Sequence, residues 1–417
     1  MPARKTAVRK SPVKTAKIVR KPARKPAKAA VPASGLTLVA GELSWPIKST
    51  HAAAHITRTG GQIGPITFKL GSRRISPMHV APWTTDGTPR PKPNMIAVLR
   101  GDFFCMPFGA NESPYGNEKY PAHGETANSN WKFEDQSSDA AGATIHLSLN
   151  HRARPGRVDK FIHIRADQPI IYNKHVVSGM SGPMCLGHHP MLKFPDVEGS
   201  GLIATSPTKF MHTYTEPLER PENKGYSFLQ PDSPFERLDA VPTITGQTAD
   251  LTKYPARRGW EDLVLLANVD DVPLAWTAVT FPAQRFVWFA LKDPRVLHST
   301  VLWMSNAGRH YAPWSGRHMN VMGLEEITGN FHYGLAGSAA DNTISRRGHP
   351  TTIELNPETP LVVNYIFGVA EVPADFGRVA NLTYDGTSKA ITLEDAAGHR
   401  VSTACDVDFL YTGTAIA

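Results

Sequence analysis

The chain is poor in cysteine: Cys105, Cys185 and Cys405 are the only three in 417 residues, widely spaced and in no CxxC pairing. That excludes a disulfide framework and a cysteine-built zinc site, and it fits a reducing compartment. Long apolar runs are also missing. None approaches the roughly 20 residues that cross a bilayer, and the N-terminal stretch lacks the continuous apolar segment of a secretory leader. The expectation is a soluble, cytoplasmic protein without a membrane span. Helical periodicity is nearly absent, and 35 prolines with 33 glycines would break helices throughout. No repeat of fixed period is present, which disfavours a propeller or solenoid. No GxSxG elbow occurs and no cysteine has a recognisable catalytic setting, so nucleophilic hydrolysis lacks support.

Acidic residues are missing altogether from residues 1–34, which carry 11 of the 45 lysines and arginines. The remainder holds 34 basic against 37 acidic residues, so the net charge of +8 belongs to this tail and the rest of the chain stands at −3. The tail repeats Lys, Arg, Pro and Ala and cannot bury enough apolar surface to offset its ordering entropy, which predicts disorder. Its functional reading is a polycation making nonspecific, salt-sensitive contact with nucleic acid or anionic surfaces; its plainer reading is a solubilising extension. No ordered module for base readout is visible.

From Gly35 onward short apolar or alternating runs dominate: TLVAGELSW, GPITFKL, ATIHLSL, KFIHIRA, FVWFALK, STVLWMS and others, separated by Gly, Pro, Asn and Asp clusters. This is an all-β pattern, and a large antiparallel sandwich tolerates the prolines and glycines in its turns and at its edges. We take residues 35–417 as the folded domain. The Pro-rich, weakly patterned stretch from about Ser200 to Leu263 reads as insertions between strands.

Four short segments carry the chemistry: the Pro107-Phe108-Gly109 turn, PAHGETANSNW from Pro121 to Trp131, GHHP from Gly187 to Pro190, and VMGLEEI from Val321 to Ile327. In this order they resemble the aldose 1-epimerase (galactose mutarotase-like) superfamily, above all the branch with glucose-6-phosphate 1-epimerases. There an RGG segment, a PWFG turn and an HGFAR segment with a later Trp follow one another. Here the matches are Arg100-Gly101, Pro107-Phe108-Gly109, His123-Gly124 and Trp131, with His189-Pro190 similar to the catalytic HP pair and Leu324-Glu325 similar to the segment of the catalytic glutamate. The resemblance spans about two thirds of the chain. It implies a galactose mutarotase-like β-supersandwich with the sugar site in the concave face of one sheet. Two positions depart from the pattern: Ala127 stands where the family has arginine, removing a contact to substrate including any to a sugar phosphate, and Asp102 stands where RGG has its second glycine.

Interconverting sugar anomers requires a base to take the proton of the anomeric hydroxyl while an acid protonates the ring oxygen. An ionised glutamate and a histidine titrating near neutrality meet that need without metal or other cofactor. By this logic Glu325 is the candidate base, His189 the candidate acid, and His123 a group that orients the sugar. Glu326 and His188 are their sequence neighbours and would face away on an extended backbone. His175 is a weaker candidate with a structural role the more usual one. Trp131, Trp303 and Trp314 could offer flat faces to a pyranose, and Arg100, Asn128 and Arg317 could bond its hydroxyls. For each tryptophan the ordinary alternative is core packing.

Two other readings use the same residues. His123, His188, His189 and Glu325 could be imagined as a cupin-like metal site, but no HxH or HxD pattern occurs around His123 or His189. Glycoside hydrolysis needs two suitably spaced carboxylates, and only Glu325 stands out. What survives is an anomer-interconverting isomerase or, on the same fold, a carbohydrate-binding protein without the chemistry.

Overall fold

The structure, a computed structural model, describes residues 35–414 together with Pro2. The basic segment and its predicted disorder therefore lie outside the described residues, Pro2 aside. Two large antiparallel sheets face each other. One has nine strands, with Phe286–Lys292, Leu361–Glu371 and Ile170–Ser178 at its centre; the other has eight, built around Trp260–Asn268, Ser299–Asn306 and Val321–Thr328. A five-stranded meander from Thr37–Val39 to Arg73–Ile75 precedes them, and three strands from Val379–Asp385 to Arg400–Ala404 follow. Helix is confined among the described residues to segments of four to six residues and short 3-10 turns.

Burial on both faces explains why several strands read as unbroken apolar runs instead of alternating ones. All seven residues of Phe286–Lys292 are buried. Phe286, Trp288 and Ala290 pack toward the eight-stranded sheet, while Val287, Phe289 and Leu291 meet Leu382, Ile391, Leu393 and Phe409 from the C-terminal strands and helix. A strand covered on both sides gains from apolar residues at every position.

The stretch from Ser200 to Leu263 contributes more than insertions. Gly201–Thr205 lies in the nine-stranded sheet and Thr208–Thr213 in the eight-stranded one, so the chain crosses between the sheets here. Only the residues between Thr213 and Trp260 form extended loops with two-residue ladders such as Val241–Pro242 against Thr248–Ala249. The missing periodicity has a physical reason: prolines and short edge pairs leave too few residues per strand to establish one.

Between the two sheets lies an ion pair, Lys292 with Glu326. Thr277 and Thr300 donate hydroxyl hydrogen bonds to the Glu326 carboxylate at 2.6 and 2.7 Å, and Lys292 Nζ donates to Ser299 O at 2.6 Å. Such a pair is costly to break on one side, because the remaining charge stays buried. Lys292→Met is expected to lower stability in chemical denaturation by about 3–5 kcal/mol. The double variant Lys292→Met, Glu326→Gln should recover part of that loss; an equal or larger loss would contradict the pairing.

Candidate active site

Strand alternation divides two adjacent glutamates. In Val321–Thr328, Glu326 pairs across with Thr300 and turns inward, whereas Glu325 pairs with Val301 and turns to the opposite face together with Gly323, whose partner is Trp303. Gly323 is required there: a Cβ would stand 2.7 Å from Glu325 Oε1 and 3.2 Å from the Trp303 ring. The glycine lets the carboxylate lie back along the strand beside the indole.

The HHP segment meets this strand where its neighbour is interrupted. Leu186–His188 and Met191–Lys193 both pair with Val321–Thr328, and the break between them holds His189 and Pro190. His188 turns inward, its Nδ1 2.9 Å from Asp102 Oδ2 and its ring stacked on Tyr365. His189 turns outward and places Nε2 3.2 Å from Glu325 Oε1. Its backbone N–H donates to Phe103 O at 2.9 Å and to Asp102 Oδ1 at 3.1 Å, and its ring stacks on Phe103 at 4.7 Å. Asp102, fully buried, thus holds both histidines, one by its side chain and the other by its backbone.

His123 arrives from the PAHGET loop with φ of 59°, a left-handed conformation unusual for histidine. Its N–H donates to Gly109 O at 2.6 Å, and Gly124 behind it crosses Met106 O so closely that a Cβ would lie 1.9 Å from that oxygen. The loop is pinned against the Pro107-Phe108-Gly109 turn, and the His123 ring stands edge-on to His189 with centroids 5.0 Å apart. Backbone strain of this kind persists only where surrounding contacts determine it.

His123, His189 and Glu325 open onto one cavity of about 440 Å³, a size that suits a small polar ligand. Trp303 and Trp314 line it, as do His332, Tyr311, Glu219 and Arg309. Arg309 lies over both indoles, 5.3 Å from the Trp303 ring and 4.6 Å from that of Trp314, and its Nε is 2.5 Å from Glu219 Oε1. Behind it Glu261 accepts from Trp303 Nε1 at 3.1 Å and Ser305 Oγ at 2.8 Å. Among the described residues no group of three or more His, Cys, Asp or Glu is arranged to hold a metal ion.

The other residues singled out in the sequence lie away from the cavity lining. The Arg100 guanidinium is buried and donates to the carbonyls of Val98, Val39 and Ala40, fastening the N-terminal meander. Asn128 bonds within the PAHGET loop, donating to Ala122 O and Gly124 O and accepting from Met95 N, so it shapes the loop that presents His123. Trp131 donates its indole N–H to Thr126 O in the core, and Arg317 pairs with Asp86. His175 is fully buried and stacked on Phe104. Sequence reasoning missed Arg309, Glu219 and His332. Arg309 stands five residues before Trp314, but nothing in NAGRHYAPWSGRH favours it over Arg317; only the loop's path decides which guanidinium faces the indoles.

Burial dominates the electrostatics. It pushes the Glu325 carboxyl well above its usual range, with Arg309 opposing, and lowers His189 to about 3, with Asp102 opposing. His123 is driven well below its ordinary value by burial and by His189 and His332. Burial likewise raises Glu261 to about 7 against the pull of Arg309. Burial disfavours the Arg309 charge, yet Glu261 and Glu219 hold it firmly protonated. Burial thus works against the charged form of both Glu325 and His189.

Desolvation lowers nine histidines in all: His79 and His189 to about 3, His163, His298, His332 and His349 to about 4, and His123, His175 and His318 well below the usual value. The unfolded chain takes up protons at these sites below about pH 6.5 and the native state does not, so each costs about 1.4 kcal/mol per pH unit as pH falls. Glu261, Asp262 and Glu325, raised by burial, act with the opposite sign but are only three. The midpoint of chemical denaturation is expected to fall between about pH 7 and about pH 5. A midpoint that holds or rises over that interval would contradict neutral burial of the histidines.

No protein-family model matches the chain, and no curated protein matches it. Solved structures do. A protein of Escherichia coli K12 provisionally named an aldose 1-epimerase superposes with a TM-score of 0.52 at 14% identity, covering 79% of this chain and 99% of that one. The Slr1438 protein of Synechocystis gives 0.52 at 12%, covering 79% and 96%. A galactose mutarotase related enzyme of Lactobacillus acidophilus gives 0.50 at 12%, covering 79% and 99%. At these identities the likeness is one of architecture alone, and that architecture is the galactose mutarotase-like β-sandwich.

Proposed function

We propose that the chain is an anomer-interconverting isomerase, resembling an aldose 1-epimerase, which opens and recloses a pyranose in the cavity above Glu325 and His189. The observation that carries this reading is the 3.2 Å approach of His189 Nε2 to Glu325 Oε1 on the floor of a cavity of sugar size. Ring opening moves one proton off the anomeric hydroxyl and one onto the ring oxygen, and a pair holding a single mobile proton can accept the first while delivering the second. Burial favours holding that proton on the carboxyl. When sugar hydroxyls and the Arg309 guanidinium solvate the carboxylate, the proton passes to the imidazole, leaving Glu325 as base and His189 as acid. Reclosure on either face reverses both transfers. His123 supports the reacting oxygens, Trp303 and Trp314 border the ring with Arg309 held over their faces, and Arg309 donates to the sugar hydroxyls.

We further place the protein in the cytoplasm, a reading supported by three buried thiols that form no disulfide. No helix of the described residues is long and apolar enough to cross a membrane. For residues 1–34 we propose salt-sensitive contact with anionic surfaces or nucleic acid, carried by their charge alone.

Polarimetry or exchange NMR on an aldose panel should show accelerated mutarotation. Glu325→Gln and His189→Ala are each expected to lower the rate by at least about 100-fold, the usual scale for losing a general acid or base, with circular dichroism unchanged. Sugar binding without acceleration would identify a binding protein instead. The rate should show no inflection near the ordinary histidine value of about 6.5, because burial lowers His189 to about 3; an inflection there would overturn this account.

A further inference from the structure

The wall formed by Ala110, Glu112, Leu218, Glu219, Asn223 and His332 belongs to two cavities at once. On one side is the cavity of Glu325 and His189; on the other is a second of about 400 Å³. Each alone lies within the roughly 300–1,000 Å³ of cavities that take small ligands, and these six residues are their common boundary.

The second chamber has the materials of a sugar subsite. Tyr214 and Tyr333 line it; the buried Tyr214 ring backs that of half-buried Tyr333 at 4.8 Å and 24°, so the aromatic surface left to pack against a pyranose is the outer face of Tyr333. The Tyr333 hydroxyl bonds Glu216 at 3.2 Å and also meets Thr215. Glu112 and Glu216 are exposed carboxylates able to accept from sugar hydroxyls.

Charge narrows the choice of ligand. The two guanidiniums of the paired chambers are already engaged, Arg309 by Glu219 at 2.5 Å and Arg220 by Glu216 at 3.0 Å. Glu112 and Glu325 add carboxyl groups without adding a cation. A phosphoryl group needs donors carrying positive charge that a carboxylate does not already hold. Ala127, where the resemblance would put arginine, is buried and supplies none.

We infer, resting on the isomerase reading above, that the cleft takes the reducing end of an uncharged oligosaccharide: the reducing unit sits over Glu325, His189 and Trp303, and the next ring lies against the outer face of Tyr333. Sugar phosphates are disfavoured.

The full chain is assayed by polarimetry with glucose, the glucose-ended disaccharides maltose, cellobiose, lactose and melibiose, and glucose 6-phosphate. At least one disaccharide should exceed glucose in kcat/KM by about tenfold, the yield of roughly 1.4 kcal/mol from the added contacts, and glucose 6-phosphate should fall below glucose by a similar factor. Glucose turned over as well as every disaccharide, or glucose 6-phosphate preferred, overturns the inference while leaving the isomerase reading intact. If no sugar is accelerated, the isomerase reading fails, and calorimetric binding of the same panel decides here: tighter disaccharide binding retains the two-ring cleft, and equal or absent binding ends it. Tyr333→Ala should bring the disaccharide-to-glucose ratio to about one; Ser113→Trp, at an exposed position lining only the second chamber, should do the same and serves if the tyrosine variant misfolds. A ratio unchanged in a folded variant counts against the subsite.

Discussion

Two neighbouring carboxylates on one extended strand cannot share a face, and the arrangement of the whole molecule follows that constraint along Val321–Thr328. Glu326 goes between the sheets, where Lys292, Thr277 and Thr300 satisfy it. Glu325 goes outward, where His189 meets it and only Arg309 among the nearby cations favours its ionised form. The same strand therefore ties the core together on one side and presents a carboxyl to the cavity on the other. A shift of register by one residue would exchange the two carboxylates, placing Glu325 against a lysine and leaving Glu326 without it.

The His189 side of the pair is fixed as firmly. Asp102 accepts from the His189 backbone and faces the His188 ring, so the break in the strand pairing that frees His189 is held from beneath. Asp102 is also one of the two places where the chain departs from the family pattern it resembles. In the sequence that departure counts as a loss; in the fold it is an added anchor for the imidazole.

How much of this was legible in the sequence depends on which physical rule a residue obeys. Strand alternation separated Glu325 from Glu326 and His189 from His188 in advance, because side chains on an extended backbone change face at every step. The all-β pattern came through for the same reason, and the galactose mutarotase-like architecture followed from the order of the short segments. Residues governed by loop paths were not legible. Arg100 and Asn128 lie in the segments that carry the resemblance, yet their hydrogen bonds go to backbone carbonyls that secure the frame. Arg317 and Arg309 flank the same tryptophan, and only three-dimensional folding chooses between them. The titration behaviour was hidden as well: reference values make glutamate anionic and histidine partly charged near neutrality, whereas burial favours the uncharged form of both.

The origin of the cavity walls has a consequence of its own. The floor comes from the central strands of a sheet, but Leu218, Glu219 and Asn223 come from the irregular segment between Thr213 and Trp260, whose backbone takes little part in the main ladders. The proposed acid–base pair and the walls that would select its ligand thus lie in separable parts of the polypeptide. Lineages descending from such a scaffold are free to exchange the loop, and with it the molecules admitted, while inheriting the paired glutamate and histidine untouched.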